Sequence, residues 1–369
     1  MRHDIDIKAQ QYFTQRFGVA FDQLLAPIDA AHPGGQSLRG NGVYRTIQEA
    51  RRQDDPTLPL GPWERELKRA DWDKVAVLAV QALAQKSKDL QLAVWLLEAQ
   101  INRDGFAGVA PCLVLIERLC RLWWEQLYPR ADGADIEYRI NVIHWANEKL
   151  LPVLRLVPIT QAGREERELN WADWEQARRA EQRRAALNGQ APEAAEGVNA
   201  LEYATAMAGT ASEWHVALHE QLGDALAAIE ELTRTLDELC GQDAPSLHGL
   251  AVLLEQIQLF IEAELHKRGV HLDRDAATAT EEQAAAELAS ADDGPIHDRA
   301  AAYAQLARAA DYLLRIEPHS PVPYLIKRAV AWGNLNTAEL YQELFVKFGG
   351  QLNIFELLGL QSESGAREH

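Results

Sequence analysis

The chain has 369 residues, 47% of them hydrophobic and 25% charged, an ordinary globular composition with enough apolar material for one large core or a few modest ones. Its formal net charge of −18 repels phosphate backbones and anionic lipid at long range, which argues against nucleic acid as a partner. No apolar run approaches the roughly 20 residues of a membrane span, and no apolar core follows the basic residue near Met1, so a cytoplasmic protein without direct membrane insertion is expected.

Nearly every segment reads as helix, because Ala, Leu, Glu, Gln and Arg dominate and apolar residues recur every three or four positions. Residues 1–20 form a short opening segment with helical character. Residues 26–42 hold Pro27, Pro33, Gly34, Gly35, Gly40 and Gly42 and read as an irregular loop. A helix over 44–52 ends near Asp54-Asp55-Pro56. Four punctuated helices follow, at about 72–86, 88–103, 109–127 and 135–150. Ser87 is placed to cap the second, Gly105 and Gly108 turn the chain into the third, and Pro129 and Gly133 end it. Short connections favour antiparallel packing, so residues 1–160 are expected to form one helical domain, closed by Pro152 and Pro158.

Residues 161–200 read as a charged, solvated helix and a linker, since the arginines of 164–184 are interleaved with Glu165, Glu166, Glu168 and Glu175. Residues 201–272 are expected to form a middle helical hairpin. Its first arm, 211–240, carries a stripe of Trp214, Leu218, Leu222, Leu226, Ile229, Leu232 and Leu236, and its second arm covers 247–268. Residues 273–298 hold eight acidic groups and one arginine and read as a flexible acidic linker. Residues 299–369 form a small C-terminal helical unit with a disordered tail. Tyr324, Trp332, Tyr341, Phe345, Phe348 and Phe355 are too many aromatics for so small a unit to bury alone, which points to self-association. The fold class is all-α.

Chemistry-bearing patterns are weak. His215 and His219 lie four apart on one helix, but the residue after the first is Val216 where a zinc protease has its glutamate, so no metal site follows. Cys112 and Cys120 sit among Leu and Ile and read as buried thiols. No GxSxG elbow, GxxxxGK[ST] or GxGxxG occurs. The expectation is a protein that is not an enzyme and uses no cofactor. Tryptophans Trp63, Trp72, Trp95, Trp123, Trp124 and Trp145 cluster in or beside the first domain, as core residues or as anchors for a partner.

Several segments carry a family resemblance. They are Arg45-Thr-Ile-Gln-Glu-Ala-Arg-Arg-Gln-Asp-Asp55, Trp63-Glu-Arg-Glu-Leu-Lys-Arg-Ala-Asp-Trp72, Ser87-Lys-Asp-Leu-Gln-Leu-Ala-Val-Trp-Leu-Leu-Glu-Ala99, Gly105-Phe-Ala-Gly108, Trp124-Glu-Gln-Leu-Tyr-Pro129 and Leu156-Val-Pro-Ile-Thr160. In order and interval they resemble the ImpA-type N-terminal domain of the TssA family of type VI secretion proteins. Glu317-Pro-His-Ser-Pro-Val-Pro-Tyr-Leu-Ile-Lys-Arg-Ala-Val-Ala-Trp332 resembles the C-terminal signature of the same family. The loop at 32–38 departs from the family in lacking its Cys and acidic residue, and the end soon after the C-terminal signature resembles the shorter members, thought to act at the baseplate. The resemblance implies a non-catalytic scaffold that forms a homo-oligomeric ring through its C-terminal region and organises baseplate, tube and sheath proteins. Candidate self-assembly residues are Pro321, Pro323, Tyr324, Arg328, Trp332, Tyr341, Phe345 and Phe355. Candidate partner-binding residues in the N-terminal domain are Trp63, Glu64, Trp72, Asp89 and Trp124. The alternative expectation is a generic helical adaptor for a single protein partner.

Overall fold

The computed structural model describes residues 2–54, 67–131, 136–161, 167–186, 198–270 and 272, and in the last hundred residues only 305–310, 312, 313, 322, 326, 327 and 330. Contacts divide the chain into two units, Met1–Asp273 and Arg274–His369. In the second, the described residues are helical, with Ala310 buried and Tyr312 and Val322 exposed. The expected linker at 273–298 and all eight candidate self-assembly residues lie outside the described residues, as do Trp63 and Glu64.

In the first unit, all regular structure among the described residues is helical, joined by three isolated backbone bridges. Two adjacent helices form its centre, α5 (Leu90–Asp104) and α6 (Val109–Trp123). α5 is buried on all sides from Leu92 to Ile101, and α6 from Val109 to Glu117, so both must be surrounded by other elements. Gly105 ends α5 in the left-handed region, at φ 62°. A short 3-10 turn (Gly105–Gly108) then feeds α6. Gly108 passes so close to α5 that a Cβ would sit 2.8 Å from Gln100 Cβ and 2.9 Å from its carbonyl oxygen.

Other helices cover this pair. α4 (Trp72–Gln85) and α7 (Glu137–Arg155) pack on α5, while α1 (Arg2–Phe17) and α10 (Ser212–Cys240) pack on α6. α3 (Gly42–Arg51) lies against α4, and α2 (Phe21–Leu25) bridges α1 and α4. α11 (His248–Lys267) joins α10 to α7. α8 (Trp171–Ala186) packs with α9 (Ala200–Gly209) and, through Trp171 and Trp174, meets Phe260 of α11.

Several expectations need correction. The helical arms of 201–272 share one continuous core with 1–160, since Leu218, Leu222 and Ala225 belong to the same buried cluster as Leu96 and Leu115. The interval 161–200 is therefore no division of the core. The start of α8 is not a solvated helix, because Trp171, Asp173 and Ala177 are buried; only its second half is exposed. Residues 200–209 form α9, a helix the pattern reading leaves unassigned. Ser87 does not cap α5; Asp89 does, accepting from Gln91 N at 2.9 Å. Pro152 likewise lies inside α7, whose last turn continues to Arg155. Its fixed φ is compatible with a helix, while its missing N–H and the ring's approach to the carbonyl four residues before weaken that last turn.

Gly108→Ala is expected to destabilise the protein by about 2 kcal/mol, because α5 and α6 would have to separate to admit one methyl group. Urea denaturation of the two proteins measures it; an unchanged midpoint would show that the approach is not tight.

Candidate partner-docking surface

Two of the segments quoted for the family resemblance, 87–99 and 124–129, meet the loop at 32–38 at a junction of three loops. Gly35, at φ 76°, runs beside 86–88, and a Cβ there would lie 2.2 Å from the Lys86 carbonyl oxygen. Gln36 N donates to Lys86 O at 3.1 Å and Lys88 N to Gly34 O at 2.9 Å. On its other side the same strand-like stretch exchanges hydrogen bonds with Tyr128. Tyr128 N donates to Lys88 O and Leu90 N to Tyr128 O, both at 2.8 Å.

Side chains complete the junction. Lys88 is fully buried, and its ammonium donates to Leu24 O at 2.7 Å and Leu83 O at 2.9 Å. These carbonyls end α2 and α4, where helices leave unpaired acceptors and partial negative charge. Burial pulls the Lys88 amine down to about 8. Trp123 Nε1 donates to the next carbonyl, Leu25 O, at 3.0 Å. Arg139 is buried, donates to Leu127 O at 2.8 Å and Pro129 O at 2.9 Å, and lies 4.8 Å over the Trp124 ring. Asp89 accepts from Tyr44 Oη at 2.6 Å as well as capping α5. At 2% exposure it is out of reach of a partner, so its expected partner-binding role is corrected to a structural one. Trp124 is half-buried beneath Arg139 in the same junction.

Trp72 lies elsewhere, on a cleft of about 830 Å³ between the start of α4, the end of α5, the end of α7 and the start of α10. The cleft is lined by Trp72, Trp214, Leu156, Val153, Pro152 and Pro158, above Phe106. Leu156 is 62% exposed, and both tryptophans are partly so. Its charged groups, Glu168 apart, are internally paired. Arg51 Nε meets Glu98 Oε2 at 2.5 Å and lies 5.1 Å over both Trp95 and Trp145. Arg103 pairs with Asp73 at 2.8 Å. Asp104 accepts from Tyr12 Oη at 2.6 Å and pairs with Arg16 at 2.5 Å. An apolar centre with a neutralised rim suits an apolar protein segment better than a charged small molecule. Trp214 and Leu156 escape a reading of the sequence, because nothing in their spacing separates a residue on a cleft wall from one in the core.

Cys112 and Cys120 are unpaired and buried, and burial pushes the Cys120 thiol up to about 12. His215 is buried with Nε2 3.3 Å from Ile159 O, and burial lowers its proton affinity. Among the described residues no three His, Cys, Asp or Glu side chains are arranged to hold a metal, and no helix is long and apolar enough to cross a membrane.

Burial pushes the Asp89 carboxyl up to about 6, above its ordinary value near 4. The folded state then holds this proton more readily than the unfolded chain across that window. Its contribution to stability is full at the acid side and is lost as pH rises through about 6. Asp89→Asn, which keeps a capping oxygen, removes this titration. Urea midpoints at about pH 4.5 and about pH 7.5 should show the variant gaining on the native chain by about 1–2 kcal/mol at the higher pH. An identical pH dependence in both proteins contradicts the assignment.

The family model described as ImpA, N-terminal, type VI secretion system, matches residues 25–148, which take in nearly all of the loop junction. The type VI secretion system component TssA1 of Pseudomonas aeruginosa is 29% identical over 339 residues, covering 87% of this chain and 93% of that protein. A solved structure is also similar: the N-terminal domain, including the conserved ImpA_N region, of the TssA component of the type VI secretion system from Burkholderia cenocepacia. It aligns with a TM-score of 0.60 at 28% identity, over 68% of this chain and 95% of that one. That span exceeds the matched family region, as the single core running from α1 to α11 requires. Residues 25–148 thus match the ImpA N-terminal family model, and the chain is similar over most of its length to TssA components of type VI secretion systems.

Proposed function

We propose that this protein is a non-catalytic, cytoplasmic scaffold of a bacterial type VI secretion system. In this reading it assembles into a homo-oligomeric ring through residues 299–369 and organises baseplate, tube and sheath proteins. The observation that carries the reading is the alignment with TssA1 across 87% of this chain and 93% of the relative, because it extends past the first unit into the C-terminal stretch. Two further features support it. The aromatic surplus around Tyr324, Trp332, Tyr341, Phe345 and Phe355 is more than a short segment can bury in itself. The Trp72–Trp214 cleft offers apolar anchoring sites on a folded, rigid unit. In the proposed ring, Pro321, Pro323, Tyr324, Arg328 and Trp332 shape the contact between subunits.

Mass photometry of the full chain tests the ring. The expected result is a discrete multiple of 41.2 kDa that Trp332→Ala shifts to smaller species. A strictly single-chain mass at about 1 µM and above would overturn it. The cleft is tested separately. Leu156→Glu adds a charge at an exposed site and should change stability by less than about 0.5 kcal/mol. The variant should keep the oligomer mass yet retain less of the baseplate proteins in co-purification from cells expressing the whole system. Undiminished retention would remove the cleft from the docking surface.

A further inference from the structure

A second groove, of about 440 Å³, lies between α8 and α11, apart from both the loop junction and the Trp72 cleft. Its floor is aromatic. The Trp171 and Trp174 rings stack with centroids 4.3 Å apart, and Phe260 of α11 meets them at 5.7 and 5.2 Å. Trp171 is buried, Trp174 and Phe260 are partly exposed, and Leu259 beside them is 57% exposed. Arg178 lies 5.2 Å over the Trp174 ring.

The charge balance at this groove differs from that of the cleft. Glu175 is the acidic residue on its lining, and it is already engaged by Arg179 at 3.3 Å and Arg155 at 3.8 Å. Among the described residues, Arg178 has no carboxylate within ion-pair distance, and it is exposed. Arg178 and Arg179 on the lining thus outnumber its one carboxylate, Glu175, which Arg155 also engages, beside an aromatic floor on a chain whose net charge is −18. An acidic segment is repelled by most of this molecule and attracted here, which gives such a partner one preferred face. A long polyanion such as nucleic acid would meet the repulsive remainder as well; a short acidic peptide would not. Aromatic and arginine side chains together are also the residue types that carry most binding energy at protein interfaces.

We propose that the groove between α8 and α11 docks an acidic amphipathic segment of a partner protein. Its apolar side chains rest on Trp174, Leu259 and Phe260, and its carboxylates pair with Arg178 and Arg179. The proposal does not depend on the ring.

Fluorescence anisotropy with a labelled synthetic helix of about 15 residues tests this, its leucines set on one face at three- and four-residue spacing and its other face all glutamate. The full chain should bind this peptide and ignore the same design with lysine for glutamate. Arg178→Gln with Arg179→Gln, and separately Leu259→Asp, should each weaken binding about tenfold or more, with the urea midpoint unchanged as the fold control. The proposal is overturned if the glutamate peptide does not bind, if either variant binds it as the native chain does, or if the lysine peptide binds equally. Displacement of the peptide by a single-stranded oligonucleotide would overturn it in favour of nucleic acid. A fall in particle mass on Leu259→Asp, with no peptide binding by the native chain, would overturn it in favour of a second copy.

Discussion

Helices α5 and α6 have almost no face that tolerates water, and the architecture of the first unit follows from covering them. One amphipathic neighbour hides about a third of a helix surface, so two adjacent helices buried all round need several neighbours each. α4 and α7 serve α5, and α1 and α10 serve α6. α10 comes close because it presents Ala225 and Ala228, both buried, to the interior. The polar groups enclosed by this packing are matched across elements. Glu98 holds Arg51 of α3, and Gln100 of α5 donates to Tyr12 of α1 and to Asp104. Glu117 of α6 accepts from Thr235 of α10 at 3.0 Å and pairs with Arg121 at 2.7 Å. Each such pair penalises a slipped register, since a buried polar group left without its partner costs about 1–3 kcal/mol.

The loop junction shows why the family is recognisable from a few short motifs. A helical stripe accepts Leu, Ile, Val or Met with little loss, so its sequence drifts while its pattern stays. The junction has narrower requirements. A backbone passing within 2.2 Å of where a Cβ would stand needs glycine at 35, and two helix-end carbonyls facing one buried position need a long cationic donor such as Lys88. Asp89 must cap α5 and receive Tyr44 at the same time. The motif residues at this junction are therefore specified by the fold.

That distinction marks how far the sequence could be read. Spacing of apolar residues gave the helix at 72–86 within one residue of α4, and the one at 88–103 within two of α5's start. Periodicity states which side of a helix is apolar and is silent on what covers it. For this reason the arms at 211–240 and 247–268 read as a separate hairpin, although α10 and α11 in fact complete the core built by 1–160. Counting charges in α8 likewise hid Trp171, whose burial anchors that helix against α11. Of the candidate binding residues, Asp89 was misplaced because a capping aspartate and a surface aspartate look alike in a sequence; Trp72 does line an open cleft.

The two open surfaces of the first unit discriminate by different physics. In the Trp72–Trp214 cleft the charges, Glu168 apart, cancel in pairs, so the proposed recognition there rests on shape and apolar burial and should respond little to salt. Between α8 and α11 the exposed guanidinium groups outnumber the one carboxylate on the lining, so the proposed recognition gains speed and selectivity from a field that salt screens. Neither surface is large, at about 830 and about 440 Å³, and neither alone suits a tight, permanent complex. In the proposed ring that is an advantage. Several copies held together raise the effective concentration of each weak site, so a contact that exchanges readily in one subunit becomes lasting when repeated around a ring and still lets go one subunit at a time.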